Sequence, residues 1–364
     1  MSLAAGIVGL PNVGKSTLFN AVSGSRAAVA NYAFATIEPN VGAIPVPDPR
    51  LATLARLSRS GRIVPATVEL VDIAGLAEGA SEGEGLGNRF LAQIRQVDAL
   101  VHVVRCFEDS GVAHIYDHLD PVHDVEIVET ELLLADLEQI ARRVDRTTRA
   151  ARAGGARDPG ARRDAELAQR LHAHLASGSP ARTFEGGLGP FRDFGLLTAK
   201  PVLYVANVGE ADLPDGNAHA DALRALAGKQ DTEVVVVAAE AEAQIAELPP
   251  QERGEFLEAL GLERSGLDRL VAAAFRLLGL ITFLTTGPKE TRAWTVRAGT
   301  PAPAAAREIH SDIERGFIRV EVIDYDDFVA LGSEQAVKEA GRMRVEGRDY
   351  IIKDGDVVHY RFNV

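Results

Sequence analysis

The segment Gly9-Leu10-Pro11-Asn12-Val13-Gly14-Lys15-Ser16-Thr17 decides the fold of this chain. It fits the pattern G-x-x-x-x-G-K-[ST], the phosphate-binding loop of nucleoside triphosphatases. The apolar run at 3–8 is typical of a buried parallel strand, and the run at 18–22 begins like a helix. Between a strand and a helix, backbone N–H groups and the helix dipole can bind phosphate oxygens. The segment therefore predicts a nucleoside triphosphate site.

Two further segments complete the site that the loop predicts. In the loop, Lys15 should reach the β- and γ-phosphates and the Ser16 hydroxyl should bind Mg²⁺. The strand at 68–71 runs into Asp72-Ile73-Ala74-Gly75, a D-x-x-G pattern in which Asp72 binds Mg²⁺ through water and the Gly75 N–H reaches the γ-phosphate. Thr36, in a polar and aromatic loop, is the candidate third Mg²⁺ ligand. The predicted phosphate-binding residues are Asn12, Val13, Gly14, Lys15, Ser16, Thr17 and Gly75.

The composition is that of an ordinary globular protein: 46% of the 364 residues are hydrophobic and 25% are charged. No apolar run approaches the ~20 residues of a membrane helix, so we expect no membrane partner. The N-terminal residues do not show a secretory pattern, and the single cysteine, Cys106, cannot form an internal disulfide. We therefore expect a cytoplasmic protein, and a monomer. At a net charge of −13, contact with RNA requires a local basic patch.

The first two thirds of the chain predict a doubly wound α/β domain. Apolar strand patterns at 3–8, 68–71, 97–104, 201–206 and 233–237 alternate with helical stretches, which is typical of a parallel sheet. The candidate loops all follow the carboxyl ends of strands, where such sheets bind ligands.

The segment 125–197 interrupts this domain without a strand pattern. Two helical stripes, at 133–144 and 165–175, flank a glycine-rich turn and predict an antiparallel helical hairpin. Nine arginines lie between positions 142 and 170 against four acidic residues, an uneven excess on an acidic protein. This charge is either a solvated helix face or a contact with RNA phosphates, and Arg157, Arg162 and Arg163 are the candidate RNA or ribosome contacts.

From residue 280 onward, strand patterns at 281–285, 291–296, 318–323, 350–352 and 357–362 combine with helical patterns at 304–313 and 334–340. They predict a small α+β module without a catalytic constellation, which we interpret as a binding module.

The chain resembles the YchF family, the Obg-like ATPases, over its full length. The resemblance is carried by GLPNVGKSTLFNA at 9–21, by DIAGL and AEGASEGEGLGN at 72–88, by VVRCFED at 103–109 and by DGDVVHYRFNV at 354–364. It implies a Ras-like P-loop NTPase domain at 1–124 and 198–279, an inserted antiparallel coiled-coil arm at 125–197, and a C-terminal α+β TGS domain of ubiquitin-like fold at 280–364. It also implies a link to ribosomes and to translation-associated stress.

The base specificity is an open question in the sequence. GTPases usually carry N-K-x-D after the fourth strand, whereas this chain has Asn207-Val208-Gly209-Glu210. Without the bidentate Asp–guanine pair, discrimination falls by roughly 1–3 kcal/mol, by analogy with base-edge readout. Asn207 can pair with adenine, Val208 should contact the base through its backbone, and Ala239 leaves recognition to backbone N–H groups. The resemblance implies a preference for ATP, and GTP binding stays open.

Hydrolysis lacks its usual side chain, because Leu76 stands where Ras-like enzymes place a water-orienting Gln. Either turnover is slow, or another group replaces the Gln. The resemblance points to His114, whose neutral imidazole could accept a hydrogen bond from water. A K⁺ ion held at Asn12 is the alternative.

Two functions therefore remain. In the first, the chain is an ATPase switch whose nucleotide orders residues 31–40 and 76–90 and alters ribosome affinity. In the second, it is a ribosome- or RNA-binding adaptor with a largely structural nucleotide site.

Overall fold

The computed structural model describes residues 3–27, 41–73, 86–109, 118–154 and 159–363. Its strands are β1 (Ala4–Val8), β2 (Val41–Pro45), β3 (Ile63–Val64), β4 (Thr67–Asp72), β5 (Ala99–Arg105), β6 (Val202–Asn207), β7 (Val234–Val237), β8 (Leu280–Thr286), β9 (Thr291–Arg297), β10 (Phe317–Ile323), β11 (Arg344–Glu346) and β12 (Val357–Phe362). Its α-helices are α1 (Lys15–Ala27), α2 (Pro49–Ser58), α3 (Leu86–Gln96), α4 (Pro121–Gly154), α5 (Pro159–Ala176), α6 (Ala218–Lys229), α7 (Ala239–Glu247), α8 (Pro250–Ala259), α9 (Gly266–Leu277), α10 (Ala302–Ile309), α11 (Ser311–Arg315), α12 (Tyr325–Leu331) and α13 (Glu334–Glu339).

The chain forms two compact units, Met1–Gly42 with Glu69–Leu270, and Ala43–Val68 with Val271–Val364. The helical hairpin therefore groups with the first unit, and the segment 43–68 groups with the second, although no pattern in that segment indicated it. The three-domain division inferred from the sequence stays a prediction. Among the described helices, none combines the length and the apolar character needed to cross a membrane.

The first unit contains a six-stranded sheet in the order β2-β4-β1-β5-β6-β7. The five predicted strands lie side by side in parallel, as the apolar patterns indicated. All seven residues of β5 are buried, because this strand lies inside the sheet with neighbours on both edges. The sixth strand, β2, was not predicted. Because these five strands are parallel, the carboxyl ends of β1, β4, β5, β6 and β7 lie at one edge of this sheet.

The hairpin pairs α4 with α5 over an apolar seam. Ile140 on α4 is packed with Ala168, Leu171 and Leu175 on α5 in one cluster of buried residues. These residues belong to the helical stripes seen in the sequence, so the predicted period was correct. The helix α4 begins at Pro121, where the Asp120 carboxylate accepts hydrogen bonds from the backbone N–H groups of the first turn.

A buried carboxylate fixes the hairpin to the rest of the first unit. Asp136 on α4 accepts hydrogen bonds from the backbone N–H groups of Leu197 and Thr198, both at 2.8 Å, and from the Thr198 hydroxyl at 2.6 Å. Burial raises the pKa of Asp136, and these hydrogen bonds partly offset that rise. Because a buried, unpaired N–H costs about 1–3 kcal/mol, Asp136 is a strong attachment point for this part of α4.

The second unit contains a six-stranded mixed sheet in the order β11-β10-β12-β8-β9-β3. The segment 43–68 contributes α2 and the edge strand β3 to it. One strand prediction was wrong: residues 350–352 form no strand, and Ile351 makes only an isolated bridge with Pro301. The strand at this edge is β11 instead, and the helix α12 was also not predicted.

Candidate nucleotide site

Backbone geometry explains the glycines of the phosphate loop. Gly9 has a φ of +148° and Gly14 a φ of +94°, which side-chain-bearing residues rarely adopt. A β-carbon at Gly9 would lie 2.4 Å from the carbonyl oxygen of Val103, and one at Gly14 would lie 2.3 Å from Nδ2 of Asn207. Asn12 also has a positive φ, of 60°. The loop therefore depends on its glycines both for the turn and for its close approach to β5 and β6.

Lys15 lies at the start of α1 with its ammonium group directed back into the loop. Its Nζ donates hydrogen bonds to the carbonyl oxygens of Gly9, at 2.9 Å, and Leu10, at 2.6 Å. Only 8% of the residue is exposed. Burial lowers the pKa of Lys15 to about 8, although the nearby charge of Asp72 opposes the shift. The loop thus holds a cation whose charge the surroundings only partly compensate.

Asp72 and Ser16 form the candidate metal-binding pair. Asp72 ends β4, and its carboxylate accepts a hydrogen bond from the Ser16 hydroxyl. Burial raises the pKa of Asp72, while the Lys15 charge and the Ser16 hydrogen bond lower it in part. A carboxylate and a hydroxyl oxygen are hard donors that suit Mg²⁺. The donor set of these two residues therefore fits the metal that the sequence predicts.

Asn207 joins the phosphate loop to the loop that follows β7. Its Nδ2 donates to the carbonyl oxygen of Val13, and its Oδ1 accepts from the backbone N–H of Ala239, both at 2.9 Å. The N–H of Val208 donates to the Val237 carbonyl oxygen. One N–H and one lone pair of the Asn207 amide are therefore used within the protein, which leaves one of each for a base. The N–H groups of Val208 and Ala239 are likewise already engaged.

A cavity of about 750 Å³ lies over these loops, a volume typical of small-molecule sites. Its lining includes the predicted residues Asn12, Gly14, Lys15, Ser16, Thr17, Asn207, Val208 and Ala239. It also includes Phe107, Glu108, Asp109, Glu240 and Gln244, which the sequence reasoning did not assign to the site. The first three belong to the VVRCFED segment, so the resemblance was the one signal that could have indicated them.

Arg105 shapes the loop that carries Phe107 and Asp109. Its guanidinium donates to the carbonyl oxygens of both residues at 3.1 Å and lies 4.6 Å from the centre of the Phe107 ring. From the next connection, the Asn217 Nδ2 donates to the Cys106 carbonyl oxygen at 2.7 Å. Cys106 itself is fully buried, and burial raises the pKa of its thiol. This wall of the cavity is therefore held by Arg105, within the VVRCFED segment, and by Asn217, which lies outside the quoted motifs.

Several predicted residues lie outside the described part of the chain. These are Thr36, Gly75, Leu76, His114 and Arg157. Arg162 and Arg163 are described, and both are exposed on the first turn of α5.

Proteins of known families match the whole chain. The ribosome-binding ATPase YchF of Haemophilus ducreyi is 48% identical over 367 residues, and the match covers 100% of both sequences. The protein of the same name from Bacillus subtilis is 48% identical over 369 residues, with the same coverage. This chain belongs to the YchF family. That membership confirms the resemblance found in the sequence.

Family and structure comparisons agree with this assignment. Residues 280–363 match the YchF-GTPase_C family, described as a protein of unknown function, and residues 4–140 match MMR_HSR1, described as a 50S ribosome-binding GTPase. The solved structure of the Schizosaccharomyces pombe YchF GTPase has a TM-score of 0.90 and 32% identity, and the match covers 99% of this chain and 98% of that chain. A P-loop domain with a C-terminal α+β domain, as predicted, is therefore the YchF fold of this chain.

Proposed function

We propose that the chain is a ribosome-associated ATPase switch. It binds and hydrolyses ATP, and GTP more weakly, and it couples the bound nucleotide to ribosome or rRNA binding in translation or stress regulation. The observation that carries the proposal is the buried Lys15 cation in a cavity of about 750 Å³, with Asp72 and Ser16 beside it. The printed name of the Haemophilus and Bacillus relatives, ribosome-binding ATPase, supports the same reaction and partner.

The metal proposal places Mg²⁺ on Ser16, Thr36 and Asp72. When bound, Mg²⁺ neutralises charge on the β- and γ-phosphate oxygens. The protein's own part is to favour the ionised form of Asp72: the Lys15 charge and the Ser16 hydrogen bond lower its pKa and so oppose part of the rise that burial causes. A K⁺ ion held by Asn12, a loop residue with a positive φ, is the alternative source of positive charge.

We propose that Asn207 both connects two loops of the site and recognises the base. One face of its amide holds Val13 and Ala239, and the remaining N–H and lone pair can pair with the N7 and N6 of adenine. The missing Lys and Asp of the N-K-x-D pattern weaken guanine binding. Parallel titrations of ATP and GTP with Mg²⁺ test this, and tighter GTP binding would overturn it.

For hydrolysis, we propose that His114 orients the attacking water in place of the Gln that Leu76 replaces, and that intrinsic turnover is slow. We expect His114→Ala to lower kcat by about 100-fold, at the low end of general-base contributions, with ATP affinity changed less than about twofold. Single-turnover hydrolysis measures both quantities. A matched His118→Ala variant should leave kcat unchanged, and an unchanged kcat in His114→Ala would remove His114 from the mechanism.

The switch itself is tested by ribosome binding in three nucleotide states. A cytoplasmic monomer of this kind should sediment with ribosomes to different extents with ATP, with ADP and without nucleotide. Leu76 favours a second candidate, an adaptor with a structural nucleotide site, because this residue cannot hydrogen-bond to water. Equal ribosome affinity in all three states would support the adaptor and overturn the switch.

A further inference from the structure

A second open site lies in the first unit, between α3 and the part of α4 near Asp136. It is a groove of about 840 Å³. Its lining includes Arg95 on α3, Arg142, Arg143 and Arg146 on α4, and the side chains of Leu134 and Phe194. None of these residues lines the nucleotide cavity.

The groove concentrates positive charge on an acidic protein. Among the described residues that line it, Glu138 alone is acidic, and that carboxylate is engaged with Arg142 at 2.7 Å. Among the described residues, no salt bridge joins a carboxylate to Arg95, Arg143 or Arg146, although the charge of Arg95 interacts with the buried Asp136. The whole chain carries a net charge of −13, so this local excess is opposite in sign to the protein as a whole. Such a field attracts anions.

One of the arginines is held in place before any ligand binds. The Arg143 guanidinium lies 5.4 Å from the centre of the Phe194 ring. Phe194 is fixed in turn, because its carbonyl oxygen accepts a hydrogen bond from the Gln139 Nε2 at 2.6 Å. A guanidinium held over a ring loses less conformational freedom when it binds an anion. By contrast, Arg95, Arg142 and Arg146 are exposed and can adapt to a phosphate chain.

We propose that this groove, rather than only the far end of the arm, binds the phosphate backbone of RNA. The inference rests on the proposed ribosome-binding function and names the surface that carries it. Planar guanidinium groups from two helices suit phosphate oxygens, which they bind in a bidentate manner. An acidic helix from a protein partner fits less well. Such a helix needs several apolar anchors, and the column along α4 at four-residue spacing, Leu134, Glu138, Arg142 and Arg146, is apolar only at its first position.

The position of α3 connects this groove to the nucleotide. The helix α3 is the first element after Asp72 that the structure describes. The facing part of α4 is fixed through Asp136. A nucleotide that shifts α3 relative to α4 would change the spacing between Arg95 and the arginines of α4, and with it the fit to a phosphate chain.

The test compares three double variants of the full chain in ribosome binding across a salt series. Arg95→Gln with Arg146→Gln should weaken binding and lower the slope of log affinity against log salt by about 2, one for each lost phosphate contact. Arg95→Lys with Arg146→Lys keeps the charge and should retain the slope. Arg162→Gln with Arg163→Gln is the matched change at the start of α5. Equal unfolding midpoints verify that the variants are folded.

The outcomes separate this inference from the proposed function. An unchanged slope in the Arg95 and Arg146 glutamine variant, with a reduced slope in the Arg162 and Arg163 variant, would overturn the groove proposal and leave ribosome binding intact. Ribosome binding that ignores nucleotide state would overturn the switch and not the groove. Competition of ribosome binding by polyuridylate should be lost in the groove variant. Competition by polyglutamate alone would assign the groove to a protein partner and reject RNA.

Discussion

The two units each contain a cluster of charged side chains, and the clusters differ in what burial does to them. In the first unit, burial lowers the pKa of Lys15 to about 8 and raises that of Asp72, and their mutual attraction offsets these shifts only in part. In the second unit, burial alone would lower the pKa of Arg50, but hydrogen bonds with Asp48 and Asp354 raise it above its ordinary value. The pKa of Asp354 is lowered by the same contacts, again against the effect of burial.

This difference distinguishes a ligand-binding site, the Lys15 and Asp72 cluster, from a structural ion-pair network, the Arg50 cluster. The charges on Lys15 and Asp72 are destabilised where they stand, which is typical of groups that act on a ligand. In the Arg50 cluster, the charges are compensated within the protein. The Arg50 guanidinium donates hydrogen bonds at 2.8 Å to Asp354 and to Asp48, the N-cap residue of α2, and at 3.0 Å to the Thr282 hydroxyl. The first cluster should therefore matter for binding, and the second for stability.

Removal of Lys15 should have the largest effect on function. We expect Lys15→Ala to weaken ATP binding roughly 100-fold, because two charge-assisted hydrogen bonds contribute about 1.5 kcal/mol or more each. Stability should stay the same or rise, since an undercompensated buried ammonium is lost. Calorimetric titration with Mg²⁺ and denaturant unfolding measure the two effects. Lys289→Ala, at an exposed lysine of the second unit, is the control; full ATP affinity in Lys15→Ala would contradict the site.

Removal of Arg50 should have the opposite signature. Arg50→Met keeps the apolar stem but leaves Asp48 and Asp354 without their cation, so the free energy of unfolding should fall by about 2 kcal/mol. ATP affinity should change less than twofold. Arg307→Met is the control, because Arg307 is exposed and its contact with Glu314 is 3.7 Å long, which predicts a loss below about 0.5 kcal/mol. A larger effect on ATP binding than on the free energy of unfolding would contradict the structural role of Arg50.

The sequence predicted the first cluster and not the second for a physical reason. Lys15 and Asp72 belong to short motifs whose spacing is set by a single strand and turn, so local pattern was enough. Arg50 is separated from Asp354 by 304 positions, and although Asp354 begins the DGDVVHYRFNV segment, no local pattern pairs it with Arg50. The strand predictions likewise succeeded where a local pattern was present and failed where it was weak. Continuous apolar runs gave β1 and β5, whereas the edge strand β2 is short, contains a Gly and a Pro, which are typical of turns, and is mostly only half-buried.

At the rim of the nucleotide cavity, too, local sequence pattern predicts only part of the structure. Asn207 could be assigned from its position after β6, but its bonds to Val13 and Ala239 depend on how three loops meet. Phe107 and Asp109 enter the site because Arg105 holds their carbonyl groups, a contact that no periodicity reveals. Local chemistry thus predicted the phosphate half of the site, and tertiary contacts determine the half around the base.

The mildest expected effect is a pH dependence that only the first cluster should show. Lys15 has a pKa of about 8 in the folded chain, against an ordinary value of 10.5. Below pH 8, Lys15 is protonated in both the folded and the unfolded chain. From pH 8 to about 10.5, the folded chain has lost the proton that the unfolded chain keeps, so the free energy of unfolding rises with pH in this range.

ATP binding requires the charged form of Lys15, so the affinity for ATP should fall by up to about tenfold per pH unit above about pH 8. Lys15→Arg should flatten this decline, because a guanidinium stays charged. Calorimetric titrations from pH 7 to 9.5 measure it, and the same decline in both proteins would place the titrating group elsewhere.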